Sequence, residues 1–206
     1  MIDIHTHNPE PDADRILCLD PTDGPVDAAC LQRPFSAGIH PWHAHIATDE
    51  AFAELGRLAT SPACVAIGEA GFDRNAQASA DEQEKVLLPQ ILLAKELHKP
   101  LILHLVGQSA RLIDLHKAYA SDEPWIVHGF RGKPELARQL LAEGFYLSFG
   151  AKFNPETLAT VPDDRLLLET DDSVFIPEQI AALYAPERVK VANINAIRLF
   201  GLPIIL

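Results

Sequence analysis

The sequence predicts an α/β domain over residues 1–206, built as a compact (β/α)8 TIM barrel with some early helices shortened or missing. Eight short apolar segments recur along the chain, most of them continuous, as expected for parallel strands buried on both faces. Helical periodicity separates them from the third segment onwards. The length of 206 residues is near the lower limit for such a barrel. An open doubly wound sheet is the structural alternative, but it would place a glycine-rich phosphate loop where this chain has His5-Thr-His7.

The first third of the chain is rich in strands and poor in helices. We expect strands over residues 1–7, 15–19 and 35–39, joined by irregular segments that contain several prolines. No helix fits between the first two strands, although residues 26–31 could form one helical turn. A helix over 49–59, with Thr48 as a possible N-cap, precedes a strand over 64–68 that runs into Glu69.

The remaining elements alternate regularly. Helices are expected over residues 79–98, 109–119, 134–142 and 154–159, and strands over 101–103, 125–127, 145–149 and 165–168. Two helices finish the chain, the second over 186–200 and ended by Gly201.

Composition excludes several classes of protein. The net charge of −12 argues against broad electrostatic attraction to nucleic acid or anionic membranes, so an anionic substrate would need a local positive site. The three cysteines lack CxxC spacing, which favours a reducing compartment. No signal peptide or membrane-spanning segment is apparent, and we expect a cytoplasmic protein with no obligate protein partner.

Imidazoles and carboxylates recur at the predicted strand ends. They are His5, His7, His40, Glu69, His104, His128 and Asp171. For any one of them a hydrogen bond inside the core is the simpler explanation, but a barrel brings strand ends together at one mouth, and metal binding explains the whole set. The ligands are too many for one ion, and a carboxylate can bridge two ions about 3.5–4 Å apart. We therefore expect two divalent ions, zinc, magnesium or manganese.

The order of motifs resembles the TatD family of metal-dependent hydrolases. The motifs are His5-Thr-His7, Gly38-Ile-His-Pro41, Gly68-Glu-Ala-Gly-Phe-Asp73, Leu103-His104, Val127-His-Gly-Phe-Arg-Gly132, Leu168-Glu-Thr-Asp171 and Asn195-Ala-Ile-Arg-Leu-Phe-Gly201. The resemblance implies a TIM barrel in which His5, His7 and Asp171 hold one metal, His104 and His128 hold the other, and Glu69 bridges them. It also implies a deoxyribonuclease, since characterised relatives include 3′→5′ exonucleases.

Departures from the family pattern concern substrate recognition. The early helix seen in relatives is missing, and Asp172-Ser173 follows Asp171 where relatives have Ala-Pro or Ser-Pro. Trp42 replaces the second histidine of the family's G-x-H-P-H motif, and Arg131 stands where serine or threonine is usual.

Roles follow for the residues around the metals. Asp171 is the expected base for the attacking water, with Glu69 as the other catalytic residue. Asp3 is a candidate for orienting a ligand histidine, a buried hydrogen bond without a metal role being the alternative, and Glu169 bears the same relation to Asp171. His40 is expected at the edge of the site.

Basic residues in the loops that follow the strands are candidate contacts for substrate phosphates. We expect Arg131 and Arg74, with Lys133 and Lys152, in this role, and a nucleic acid or nucleotide phosphodiester as the substrate. Arg131 is the best candidate because a guanidinium suits bidentate phosphate binding, and a few solvated loop charges are the alternative. Two alternatives stay open. A metallohydrolase of small carbonyl esters or amides would commonly use a carboxylated lysine where Glu69 stands. A barrel that binds metal without catalysis would be expected to have lost a ligand, and none is lost.

Overall fold

The computed structural model describes residues 1–10, 14–119 and 122–203. Its eight strands form one parallel sheet in chain order, each strand paired with the next along the chain. A parallel bridge joins Thr6 to Asp171, and the Asp171 backbone N–H donates to the carbonyl of His5 at 2.9 Å. The last strand thereby returns to the first, so the sheet is a nearly closed barrel. The predicted (β/α)8 barrel is confirmed, and the open doubly wound sheet is excluded.

The strands are β1 (Asp3–Thr6), β2 (Arg15–Leu19), β3 (Phe35–Ala37), β4 (Cys64–Asp73), β5 (Leu101–Val106), β6 (Trp125–Val127), β7 (Tyr146–Phe149) and β8 (Leu166–Leu168). The helices are α1 (Asp49–Ala59), α2 (Ala80–Glu96), α3 (Ser109–Tyr119), α4 (Pro134–Ala142), α5 (Pro155–Leu158), α6 (Pro177–Ala181) and α7 (Pro186–Phe200). None of the helices in the described ranges has the length and apolar character needed to cross a membrane.

Short 3₁₀ helices are the helical elements of the described residues before α1. They span Pro21–Asp23, Ala28–Gln32 and Pro41–Ile46, and the described residues between β1 and β2 contain no helix. The shortened early half of the barrel is therefore confirmed.

Two strands are longer than the sequence predicts. β4 continues to Asp73 and β5 to Val106, because residues 70–73 pair in register with residues 103–106. The prediction that these strands end at Glu69 and His104 is therefore wrong. Both residues lie within their strands, and the register of β4 shifts beside Glu69, between Ile67 and Ala70.

Capping residues set the helix ends. The hydroxyl of Thr48 accepts from the Ala51 N–H and begins α1, as predicted. Ser79 and Glu82 form a capping box that begins α2. At the other end of the chain, α7 ends at Gly201, whose backbone φ of 62° lies in the left-handed region that suits glycine.

Alternation along the strands divides the barrel interior into two layers. Ile102 shares a face of β5 with His104, and Ile126 shares a face of β6 with the position of His128. Both isoleucines are fully buried and belong to a cluster that also contains Phe200 of α7. An apolar layer therefore supports the layer of ionisable side chains at the C-terminal mouth.

Two glycines allow the strands to come close together beside Glu69. A Cβ on Gly68, whose φ is +125°, would lie 2.2 Å from the carbonyl oxygen of Ile102. A Cβ on Gly38 would lie 2.5 Å from the Cα of Gly68. Larger residues at either position would separate β3, β4 and β5, so these glycines help to place Glu69 at the barrel axis.

Candidate metal centre

The carboxylate of Glu69 lies between two pairs of histidines. Its Oε2 atom is 3.2 Å from Nε2 of His5 and 3.3 Å from Nε2 of His7. Its Oε1 atom is 2.7 Å from Nδ1 of His104 and 2.7 Å from Nε2 of His128. Each oxygen therefore faces one pair, which is the arrangement that a carboxylate shared by two metal ions requires.

Asp171 joins the pair formed by His5 and His7. Its Oδ1 atom is 3.9 Å from Nε2 of each histidine. The backbone of Asp171 has a φ of 54°, a left-handed conformation that aspartate tolerates better than most residues. The bridge to Thr6 fixes this conformation, so the carboxylate is directed at the β1 histidines.

The polar atoms of His5 indicate that these residues fit a metal ion. His5 is fully buried, and within the described structure neither of its ring nitrogens has a hydrogen-bond partner of acceptable geometry. Buried polar groups are nearly always paired, so an orphaned imidazole needs an explanation. A divalent ion held by His5, His7 and the two carboxylates would satisfy Nε2, and imidazole with carboxylate is a suitable donor set for zinc or manganese.

Two buried carboxylates orient the second pair of histidines. Oδ2 of Asp73 is 2.9 Å from Nε2 of His104, and Oε1 of Glu169 is 3.4 Å from Nδ1 of His128. Each of these carboxylates accepts the N–H of its own histidine ring. The lone pair of the other ring nitrogen then points towards Glu69. This carboxylate–histidine arrangement is common around metal ions and raises the basicity of the ligand.

His40 lies with Glu69 and His104 in a group whose ligand atoms are within 4.8 Å of one another, and its ring is oriented as a hydrogen-bond donor. It caps the 3₁₀ helix of residues 41–46, and its Nδ1 accepts from the backbone N–H of Trp42 at 3.1 Å. A neutral imidazole with an accepting Nδ1 carries its proton on Nε2. That Nε2 atom is 3.1 Å from Oε1 of Glu69. Asp20 holds the backbone of His40, whose N–H it accepts at 2.8 Å.

Charges at the centre favour an ionised Glu69. Burial acts to raise the pKa of Glu69, but the positive charges of His128 and His5 and the hydrogen bonds from His104 and His128 hold it well below its ordinary value. Burial lowers the pKa of His128, but Glu69 and Glu169 raise it well above its ordinary value. A metal ion bound by these residues would therefore compete with a proton on His128.

The side chain of Asp3 contacts Thr170, Arg15 and the backbone of His5. It accepts hydrogen bonds from the backbone N–H of Thr170 at 2.8 Å, from its hydroxyl at 2.6 Å and from Nε of Arg15 at 3.3 Å. Its contact with His5 is through the backbone N–H, at 3.4 Å. Its partners in the described structure include no histidine ring, which favours the alternative of a buried hydrogen bond without a metal role over the orientation of a ligand imidazole. Asp3 instead anchors the residue before Asp171.

The two predicted arginines occupy different places. Nη2 of Arg131 is 3.8 Å from Oδ2 of Asp171, and the side chain lines a depression beside the centre together with Lys152. Arg74 lies instead against Gly107, in a separate depression that also contains Gln108. Arg131 therefore lies beside Asp171, whereas Arg74 lines a different depression, and neither is among the described residues that line the central cavity.

Sequence reasoning gave no role to three residues that surround the histidines. Asp20 directly follows β2 and contacts both His40 and His43, and Asp73 ends β4. Their positions at strand ends were the available signal. Cys18 lies near the end of β2, with its sulfur within 4.8 Å of ligand atoms of Glu69 and the β1 histidines. Burial raises the pKa of its thiol well above the ordinary value.

The comparison with family models decides the classification. The model described as TatD related DNase matches residues 32–197, a range that includes Glu69, His104, His128 and Asp171. This chain belongs to the TatD-related DNase family. The β1 histidines precede the matched range, and the structure places them opposite Glu69.

Relatives of known sequence carry nuclease or hydrolase names. The protein named 3′-5′ ssDNA/RNA exonuclease TatD from Cronobacter turicensis is 36% identical over 163 residues, which cover 74% of this chain and 62% of that protein. The uncharacterized metal-dependent hydrolase YabD of Bacillus subtilis is 34% identical over 192 residues, covering 79% of this chain and 75% of the relative. The match to the exonuclease relatives from Cronobacter spans only 59% to 62% of their length.

Solved structures of TatD proteins share the fold. The TatD homologue YjjV of Escherichia coli superposes with a TM-score of 0.76 at 24% identity, over 92% of this chain and 86% of that one. A TatD family hydrolase from Entamoeba histolytica superposes with a TM-score of 0.66 at 18% identity, over 83% of this chain and 76% of that one.

Proposed function

We propose that this chain is a two-metal phosphodiesterase that removes nucleotides from the 3′ end of single-stranded nucleic acid, with DNA as the expected substrate. The observation that carries the proposal is the position of Glu69, with one carboxylate oxygen facing His5 and His7 and the other facing His104 and His128. The exonuclease names of the relatives support the substrate class.

The proposed ligands form two sets. His5, His7 and Asp171 would hold one ion, His104 and His128 the other, and Glu69 would bridge them. Zinc, magnesium and manganese are the candidate ions, zinc and manganese being favoured by the imidazole ligands. When bound, two such ions lower the pKa of a water and neutralise the charge that develops on phosphoryl oxygens.

Residues of the chain would move the protons and orient the substrate. Asp171 is the proposed base for the attacking water, because it is a carboxylate at the edge of the centre with its side chain 22% exposed. The N–H on Nε2 of His40 faces Glu69. A substrate oxygen could take the place of Glu69 as the acceptor of this N–H. Arg131, exposed and adjacent to Asp171, is proposed to contact a substrate phosphate.

The charge of the cavity makes binding dependent on the ions. The central cavity, of about 290 Å³, is lined by Asp20, Asp23, Asp171 and Asp172 as well as Glu69, and the described lining residues include no lysine or arginine. A polyanion would be repelled from such a surface. We therefore expect chelation to weaken nucleic-acid binding as well as hydrolysis.

The experiment compares the wild type with the Glu69→Gln variant. An amide keeps the shape of the side chain but cannot bridge two cations, so nucleotide release from single-stranded DNA and RNA with Mg²⁺, Mn²⁺ or Zn²⁺ should fall to background. The matched control is Glu156→Gln, which changes an exposed carboxylate at the start of α5 and should keep full activity.

Small substrates separate the proposal from its main alternative. The wild type should hydrolyse a chromogenic phosphodiester in a metal-dependent manner and leave carbonyl esters and amides unchanged. Turnover of carbonyl substrates alone would refute the nuclease. Metal binding without turnover of either class would support the inactive barrel. The cytoplasmic location and the absence of an obligate protein partner remain predictions, with which the three free cysteines are compatible.

A further inference from the structure

Trp42 presents an exposed aromatic face at the mouth of the metal centre. Its side chain lines the central cavity, and 54% of the residue is exposed. The indole Nε1–H donates to Oδ2 of Asp73 at 2.8 Å, the same oxygen that contacts His104. One edge of the ring is thereby fixed while a face stays open, so the ring needs little ordering when a planar group stacks on it.

The 3₁₀ helix of residues 41–46 keeps this ring close to the proposed ligands. The cap from Nδ1 of His40 fixes the backbone of Trp42, and the ring centroids of the two residues are 5.1 Å apart. The indole centroid is 6.5 Å from that of His104. A group bound to the metal ions would therefore have the indole as a near neighbour.

Charge distinguishes the two sides of the mouth. The cavity wall near Trp42 contains Asp20 and Asp23, which are unsuitable for a phosphate but acceptable to a neutral base. The adjoining depression shares Asp171 and Asp172 with the cavity and also contains Glu169, but it adds the basic side chains of Arg131 and Lys152, which suit the phosphates of a strand. A cavity of about 290 Å³ is at the small end of ligand pockets, so it suits one nucleoside better than a length of strand.

We propose that Trp42 is a stacking platform for the base of the terminal nucleotide, while the retained strand passes Arg131 and Lys152. This inference rests on the proposed nuclease function and adds to it the residue that recognises the substrate end. Stacking of a base on an aromatic side chain is sequence-tolerant, since every base has a π face. The enzyme should therefore require a base at the terminal position without selecting which one.

The test uses short single-stranded oligodeoxynucleotides with an abasic residue either at the 3′ end or at an internal position. Alanine substitution of a stacking residue typically weakens binding by about 5- to 150-fold per base. A terminal abasic residue should raise the KM of the wild type by a factor in this range, and an internal one should have less effect. In Trp42→Leu the terminal abasic residue should change KM by less than about twofold.

Two further variants separate stacking from a structural role. Trp42→Phe keeps an aromatic face and loses the N–H to Asp73, so it should retain the penalty for a terminal abasic residue. Any fall in its kcat should be the same for all substrates. Ile46→Ala removes an exposed apolar side chain of the same 3₁₀ helix, one that lies outside the lining of the cavity, and should behave as the wild type.

The outcomes separate the two proposals. If DNA is hydrolysed but the wild type does not distinguish a terminal abasic residue, the platform is refuted and the nuclease stands. An equal rise in KM with the terminal abasic residue in the wild type and in Trp42→Leu would also refute the stacking platform. If neither DNA nor RNA is hydrolysed, the nuclease fails and the platform fails with it.

Discussion

The substitution Asp73→Asn tests how the second histidine pair is oriented. The carboxylate of Asp73 has three partners, with His104 Nε2 and Trp42 Nε1 on Oδ2 at 2.9 and 2.8 Å and the Asn75 N–H on Oδ1 at 2.8 Å. An asparagine has one acceptor oxygen, so whichever way its amide points, an –NH2 group meets a donor. We expect the affinity for one of two metal ions to fall about 10- to 100-fold, which is about 1.4–2.8 kcal/mol.

Calorimetric titration of the metal-free protein with Zn²⁺ or Mn²⁺ measures this effect. The wild type should show two binding events, and in Asp73→Asn the one that depends on His104 and His128 should weaken while the other keeps its affinity. Asp114→Asn, an exposed change on α3, serves as the control. Unchanged affinity at both sites would refute the role of Asp73, and equal weakening of both would refute the division of the ligands into two sets.

Three other substitutions test separate parts of the structure. Arg131→Ala should raise the KM for a phosphodiester about 10-fold, whereas Arg138→Ala, equally exposed and also 3.8 Å from a carboxylate, should not change it. Asp3→Ala breaks a buried ion pair and should cost about 3–5 kcal/mol in the free energy of unfolding measured with urea, and a loss below about 1 kcal/mol would contradict the anchoring role. Burial lowers the pKa of His116 in the folded protein below the ordinary value, which the unfolded chain keeps. As the pH falls through the ordinary value, the unfolded chain binds the proton first, so the folded state loses stability. His116→Phe keeps the ring packing and should reduce the fall in Tm between about pH 8 and pH 5, and an unchanged fall would contradict the pKa shift.

The proximity of the proposed ligands could be predicted because barrel topology brings strand ends together whatever their separation in sequence. Histidine and carboxylate at successive strand ends are visible in one chain, and the closed order of β1 to β8 confirms the topology that makes them neighbours. The strand boundaries were less predictable. Glu69 and His104 were predicted as strand ends because the apolar runs stop there. Backbone pairing does not depend on side-chain polarity, and it continues to Asp73 and Val106.

The partners of the supporting carboxylates could not be predicted from the sequence. Asp73 and His104 are 31 residues apart, Glu169 and His128 are 41 apart, and Asp3 and Thr170 are 167 apart. Which of several inward-facing groups meet depends on the strand register and on shifts such as the one beside Glu69. A pattern of alternate residues places Asp3 on the same face as His5. It does not give the position of Thr170, which lies next to the bridge between Thr6 and Asp171.

We propose that the shortened early half of the barrel determines substrate choice. Two 3₁₀ helices begin immediately after Asp20 and His40 and supply much of one wall of the central cavity. They are tied to each other, since Nδ1 of His43 is 2.9 Å from Oδ2 of Asp20, and they carry Trp42 beside the histidines. The ligands come from the strands, which the fold constrains, whereas this wall comes from turns that can vary without disturbing the sheet. Relatives that keep a helix after the first strand should therefore share the chemistry of the centre and differ in how they hold the terminal nucleotide.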